Sequence, residues 1–166
     1  PNTGGSSVAT SRVNSRAELL SAVHTAAEES TEVMVETLIQ GTEVTCGIFT
    51  HQGEPTILEI TEVVTDNAFF DFDAKYNGQV EEITPARIPQ EQAEIIRKLT
   101  KQIYAYVQAR GIIRVDYIIE KDGYPTLLEV NTTPGMTPTS FIPQQVKAAG
   151  RTMEEVITEI IQTSLS

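Results

Sequence analysis

A single cysteine, Cys46, stands in this 166-residue chain. No internal disulfide can form, and such usage fits a reducing compartment. Basic residues are scarce as well: lysine plus arginine number 12 against 23 aspartates and glutamates, a formal charge of −11. A nucleic-acid backbone is bound through clustered cations, so this balance argues against a nucleic-acid partner. It leaves room for a nucleotide, because one or two local cations and a metal can serve a triphosphate. No apolar run approaches the ~20 residues of a membrane-spanning helix, and no charged-then-apolar signal segment opens the chain. Internal repeats and low-complexity tracts are also lacking. So are a glycine loop followed by Lys-Ser or Lys-Thr, the GxGxxG fingerprint and the GxSxG elbow. What is present is a globular composition, 40% hydrophobic, of the kind expected for an acidic cytoplasmic protein without membrane insertion. Its first residue is Pro1, inside a Gly/Ser-rich turn, which reads as a piece of a longer protein.

Periodicity predicts a mixture of strands and helices without regular βαβ alternation, hence an α+β chain. Ser7 to Val13 reads as a short strand. Ser15-Arg16-Ala17-Glu18 has the form of a capping box opening an amphipathic helix over 16–29, with Leu19, Leu20, Val23 and Ala27 on one face. Val33 to Glu36 reads as a short apolar strand. Glu43–Thr50 and Thr56–Val64 read as two strands around a turn at 51–55. Residues 65–88 form a long loop without periodicity, carrying Phe69, Phe70 and Phe72, and its length suggests a functional lid. Pro89 opens a long helix that Gly111 closes. Strands follow at 112–120 and 126–131, and a second capping box, Thr152-Met153-Glu154-Glu155, starts the last helix.

Chemistry concentrates in Arg114-Val115-Asp116 and Glu129-Val130-Asn131. Residues i and i+2 of a strand share a face. If these strands pair as a hairpin, an arginine, two carboxylates and an amide oxygen converge on one patch. Such hard oxygens suit Mg²⁺, which takes few protein ligands and keeps waters and substrate phosphates; a solvated salt-bridged face is the plainer alternative. The turn-rich loop Thr132-Thr133-Pro134-Gly135-Met136-Thr137 follows directly and favours the site. Gly4-Gly5-Ser6-Ser7 offers backbone amides and hydroxyls of the kind that nest phosphate oxygens. Glu36 and Glu43 flank a short apolar connector that could cover an adenine base, and Lys75 could bridge phosphates as a point charge. Plain loops would explain each of these equally well. His24 and His51 lack a second ligand at metal spacing, and Cys46 reads as core filler. Glu154, Glu155 and Glu159 read as a cap and a wet helix face.

Five runs together closely resemble the D-alanine–D-alanine ligase family of ATP-grasp enzymes. They are Gly-Gly-Ser-Ser-Val, Val-Glu-x-x-Ile-x-Gly-x-Glu-Val-Thr-Cys-Gly, Phe-Phe-Asp-Phe-Asp-Ala-Lys-Tyr, Arg-Val-Asp-Tyr and Leu-Glu-Val-Asn-Thr-Thr-Pro-Gly-Met-Thr, spread from Pro1 to about Gly150. The resemblance implies an ATP-grasp fold, with part of the central subdomain over 1–40 and the C-terminal subdomain over 41–166. The latter would be an antiparallel sheet flanked by helices. It implies two Mg²⁺ ions, replaceable by Mn²⁺, on Asp116, Glu129 and Asn131. Arg114 and Gly135 would stabilise the acyl phosphate and tetrahedral intermediate, and Ser140 would hold the carboxylate of the second D-alanine. Glu36, Thr37, Leu38, Ile39 and Glu43 match adenine and ribose contacts. Phe70 and Lys75 match ATP contacts, and Tyr76 matches the residue that ties the lid to Ser6. The implied reaction joins two D-alanines through a D-alanyl phosphate for peptidoglycan synthesis, in an enzyme that pairs as a homodimer through an upstream region. A lysine expected just before Pro1 and the family's N-terminal domain are not in the chain, so the 166 residues alone are expected to be inactive. The rival readings are a D-alanine–D-lactate ligase, which Tyr76 disfavours, another carboxylate–amine ligase of the fold, or a nucleotide-binding module without ligase activity.

Overall fold

The structure, a computed structural model, describes residues 1–4, 7–65 and 80–165. In chain order its elements are α1 (Arg16–Glu29), β1 (Gly41–His51), β2 (Glu54–Thr65), β3 (Val80–Ile83), α2 (Gln90–Tyr106), β4 (Ile112–Glu120), β5 (Pro125–Asn131), α3 (Phe141–Ala148) and α4 (Met153–Leu165). The chain divides into two compact units, one containing Pro1–Ile39 and the other Gln40–Val64 with Glu82–Ser166. The α+β expectation is met: five strands form one sheet in the order β3-β2-β1-β4-β5, and the β2–β1, β1–β4 and β4–β5 pairs are antiparallel. Among the described residues no helix is long and apolar enough to cross a membrane.

Strand β1 lies in the middle of the sheet, and Val44 through Phe49 are all buried. A strand covered on both faces has no polar side, which is why Val-Thr-Cys-Gly-Ile-Phe does not alternate cleanly. One face packs Val44, Cys46 and Ile48 with Ile113, Val115 and Tyr117 of β4 against Ala93, Ile96 and Tyr104 of α2. The opposite core joins Phe49 and Leu58 to Ile142 and Val146 of α3 and Val156 of α4. Each fully buried aliphatic or aromatic side chain here contributes roughly 1.5–3 kcal/mol. Cys46 is core filler as expected, and burial pushes its thiol up to about 12, out of reach of thiolate chemistry.

The β1–β2 turn is tighter than the five residues expected. Gln52 and Gly53 both take left-handed backbone, φ 50° and 83°, the pair that a two-residue hairpin turn demands. Four other expectations fail. Residues 7–13 and 33–36 are not strands, because no neighbouring strand among the described residues offers them a ladder. Val80–Ile83, expected as loop, is a strand because it pairs at the edge of β2; four residues are too few for periodicity to register. Helix α2 ends at Tyr106, well before Gly111. Gln108 adopts φ 51°, and the N–H groups of Gln108 and Ala109 donate to the carbonyls of Ala105 and Tyr104 at 3.1 and 3.0 Å. That is a Schellman closure with glutamine where glycine is usual. Helix α1 forms over 16–29 as expected, but it buries only Ala26 and leaves Leu20 67% exposed, so its apolar stripe packs against little.

Candidate active site

The β4–β5 hairpin forms with Arg114 opposite Asn131, Val115 opposite Val130 and Asp116 opposite Glu129. Directly opposed residues share a face, so Arg114, Asp116, Glu129 and Asn131 lie together, while Val115 faces the core against α2. On the other side of β4, Asp116 pairs with Thr45 and Arg114 with Gly47. Glu43, two residues before Thr45, therefore lies on the same face of β1. The i, i+2 spacing in the sequence predicts this convergence, and the register delivers it.

Arg114 is the hub. Its Nε and Nη2 donate to the two oxygens of Asp116 at 2.9 and 2.8 Å, a bidentate fork, and Nη2 reaches Oε1 of Glu129 at 3.5 Å. The guanidinium carbon also stands 5.1 Å from the centre of the Phe141 ring. Burial pulls the guanidinium pKa down, but the Asp116 hydrogen bond and the charges of Asp116, Glu129 and Glu43 outweigh it. The net shift is upward, and the cation is secure. Asp116 is itself buried, 7% exposed, whereas the Glu129 side chain is 59% exposed. Asn131 Oδ1 accepts from the Thr133 N–H at 3.3 Å, so its oxygen already points along the start of the following loop.

That loop brings Gly135 against Ser140. A Cβ at position 135 would lie 2.8 Å from Ser140 Oγ, closer than real Cβ contacts come, so any larger residue there would have to push the serine hydroxyl aside. Ser140 Oγ shares a hydrogen bond of 2.8 Å with Thr137 Oγ1, and Ser140 is the N-cap of α3 without capping it through its side chain. Gly135 and Ser140 are thus neighbours.

The donors fit a hard divalent cation by chemistry, being two carboxylates and an amide oxygen on one face. Among the described residues no group of three or more His, Cys, Asp or Glu is placed so that it could hold a metal ion. The hydroxyl of Thr45, opposite Asp116, is buried and has no hydrogen-bond partner among the described residues, as expected where a guest supplies one.

Other expected site residues are placed differently. Glu36, Thr37, Leu38 and Ile39 lie in an irregular segment of the first unit, with Val35 beside them 71% exposed. Ser6, Phe70, Lys75 and Tyr76, and with them residues 66–79 of the expected lid, lie outside the described residues. Glu159, expected on a wet face, is instead paired: it accepts from Arg151 and meets His51 Nδ1 at 2.6 Å.

Sequence reasoning missed three residues. Phe141 stacks on Arg114. Gln145 is completely buried: its Oε1 accepts from the Gly47 N–H at 2.9 Å, and its Nε2 donates to the Thr45 carbonyl and Thr61 Oγ1, both at 3.1 Å. The β1–β2 register slips between Cys46 and Ile48, and Gln145 takes up backbone groups at that slip. Gly47 leaves room for it, since a Cβ there would lie 2.5 Å from Gln145 Oε1. A readable signal existed, because a glutamine sits in the apolar stripe of Ile142, Gln145 and Val146.

Solved structures share this fold. D-alanine–D-alanine ligase from Bacillus anthracis matches with a TM-score of 0.79 at 36% identity, over 99% of this chain and 53% of that one. The Bacillus anthracis ligase complexed with ATP gives 0.76, again at 36%, over 92% and 49%. The sheet and its flanking helices are those of an ATP-grasp fold. In sequence the likeness is closer still. The family model described as the D-ala D-ala ligase C-terminus matches residues 1–162. D-alanine–D-alanine ligase of Porphyromonas gingivalis is 63% identical over 166 residues, all of this chain and 50% of the relative. The chain belongs to the D-alanine–D-alanine ligase C-terminal family, and it spans about half the length of the curated relatives it matches.

Proposed function

We propose that this chain carries the nucleotide- and metal-handling half of a cytoplasmic D-alanine–D-alanine ligase. The observation that carries the reading is the single polar face of Arg114, Asp116, Glu129 and Asn131, in a chain of this family. Residues 1–40 would belong to the central subdomain and 41–166 to the C-terminal one. A free carboxylate is a poor electrophile. One D-alanine carboxylate therefore attacks the γ-phosphorus of ATP, releasing ADP and leaving an acyl phosphate. The amine of a second D-alanine then attacks the acyl carbon, and inorganic phosphate departs from the dipeptide.

The residues divide this work. Asp116, Glu129 and Asn131 would hold Mg²⁺, which would neutralise charge on the phosphate oxygens. Arg114 stabilises charge as it develops on the transferred phosphoryl group and the tetrahedral intermediate, the dominant contribution in such reactions. Gly135 offers its backbone N–H to the oxyanion, and Ser140, held beside it, binds the carboxylate of the second D-alanine. Glu36 to Ile39 and Glu43 receive adenine and ribose. Phe70 and Lys75 cover the nucleotide, with Tyr76 tying that segment to Ser6.

The test is Glu129→Gln in the full-length protein. D-alanine-dependent ADP release should fall at least a hundredfold, because a charged group that would hold the metal is lost. The melting temperature should stay within a degree or two, since Glu129 is exposed and its ion pair with Arg114 is long. Retained activity would sink the assignment.

A further inference from the structure

Arg114 is held chiefly by Asp116 and Glu129. These are the groups that a divalent cation would claim. If they were its whole support, loading the metal would release the guanidinium just when it must face the phosphoryl group. The fold supplies a third support. The Phe141 ring lies 5.1 Å from the guanidinium carbon, and a π face attracts a cation without being a ligand that Mg²⁺ seeks.

The ring is itself well anchored. Phe141 is the first residue of α3, one turn before Gln145, whose three buried hydrogen bonds fasten the helix to β1 and β2. Gly47, one of the residues so held, lies directly opposite Arg114 in the sheet. Helix, ring and arginine therefore share one rigid frame.

We propose that Phe141 is a positioning residue for Arg114: its ring keeps the guanidinium in place while Asp116 and Glu129 turn to the metal. This rests on reading the sheet face as a metal- and nucleotide-handling site. Leucine at 141 would retain apolar bulk and lose the π face; tyrosine would retain both.

The experiment uses the full-length protein and Mg²⁺ alone. In wild type, the Arg114 Nε–H resonance should carry an upfield ring-current shift that survives saturation with Mg²⁺, while the Asp116 and Glu129 carboxyl resonances move. Phe141→Leu should abolish that shift and lower kcat for ADP release about tenfold, the scale of a partly desolvated cation–π contact. Its KM for ATP should stay within about twofold, and Phe141→Tyr should restore both readouts. Carboxyl resonances that move while the wild-type ring-current shift vanishes would overturn the anchor alone. Carboxyl resonances indifferent to Mg²⁺ would overturn the metal site, and the anchor with it, by a separate signal. The wild-type measurement decides even if the leucine variant does not fold.

Discussion

Gln145 shows how much one side chain can organise. Its amide is the sole polar group on the apolar stripe of α3, and it satisfies Gly47 N–H, the Thr45 carbonyl and Thr61 Oγ1 where the β1–β2 ladder slips. Leucine has nearly the same volume but deprives the Gly47 N–H and the Thr45 carbonyl of this partner, while Thr61 Oγ1 keeps Thr84 Oγ1 at 2.6 Å; each buried orphan costs about 1–3 kcal/mol. Gln145→Leu should therefore lower the unfolding free energy of the full-length protein's C-terminal region by about 3 kcal/mol, allowing for relaxation. Urea titration should show an earlier midpoint with an unchanged slope. A loss under about 1 kcal/mol would mean that the slip is held by something else. The glutamine was visible in the sequence as a polar residue in a hydrophobic stripe. Its partner was not, because a pairing across 98 residues leaves no local pattern.

At the scale of elements, the two capping boxes behave differently. Thr152 and Glu155 make the reciprocal pair: Thr152 N–H donates to Glu155 at 2.7 Å, and Glu155 N–H donates to the Thr152 hydroxyl at 3.2 Å. At α1, Glu18 instead accepts from the Asn14 N–H and the Ser15 hydroxyl, so the Ser15 side chain caps no amide of the first turn. In each case the backbone hydrogen bond, from Thr152 or Asn14, is the main cause that holds the glutamate below its ordinary 4.5. Glu62 is lowered too, first by its hydrogen bond from Arg87. A carboxylate lowered on folding favours the native state once it is ionised in both states, above 4.5. That contribution is lost as pH falls through the folded value. Stability should thus decline with acid below about pH 4.5, and Glu155→Gln should flatten that slope; an unchanged slope would contradict the capping role. Helix starts were legible because capping is local. The end of α2 was not, because Gln108 takes a conformation that favours glycine and only the Schellman bonds betray it. The short strands expected at 7–13 and 33–36 failed for a related reason: a strand is defined by its neighbour, which local sequence does not name.

Over the whole molecule, burial is unevenly distributed. In the second unit both faces of β1 are covered, whereas α1 in the first unit buries one alanine. Local opening free energy follows buried apolar contact. Backbone amides of α1 in this 166-residue chain should exchange with deuterium at least a hundredfold faster than those of β1 and β4, and equal protection would refute that ranking. The polar face of the site was legible because period-two spacing puts Arg114, Asp116, Glu129 and Asn131 on one side whatever else the chain does. The stacking of Phe141 was not, because it depends on where α3 lands. The fit of Gly47 to Gln145 reaches beyond this one chain. Each is intelligible only with the other: glycine opens the space, and glutamine repays the broken ladder. A natural lineage drifting at either site must compensate at its mate, so the two should covary among relatives. Grafting α3 alone from a homologue would import half of a lock. The transferable module is the helix together with the slipped strand that receives it.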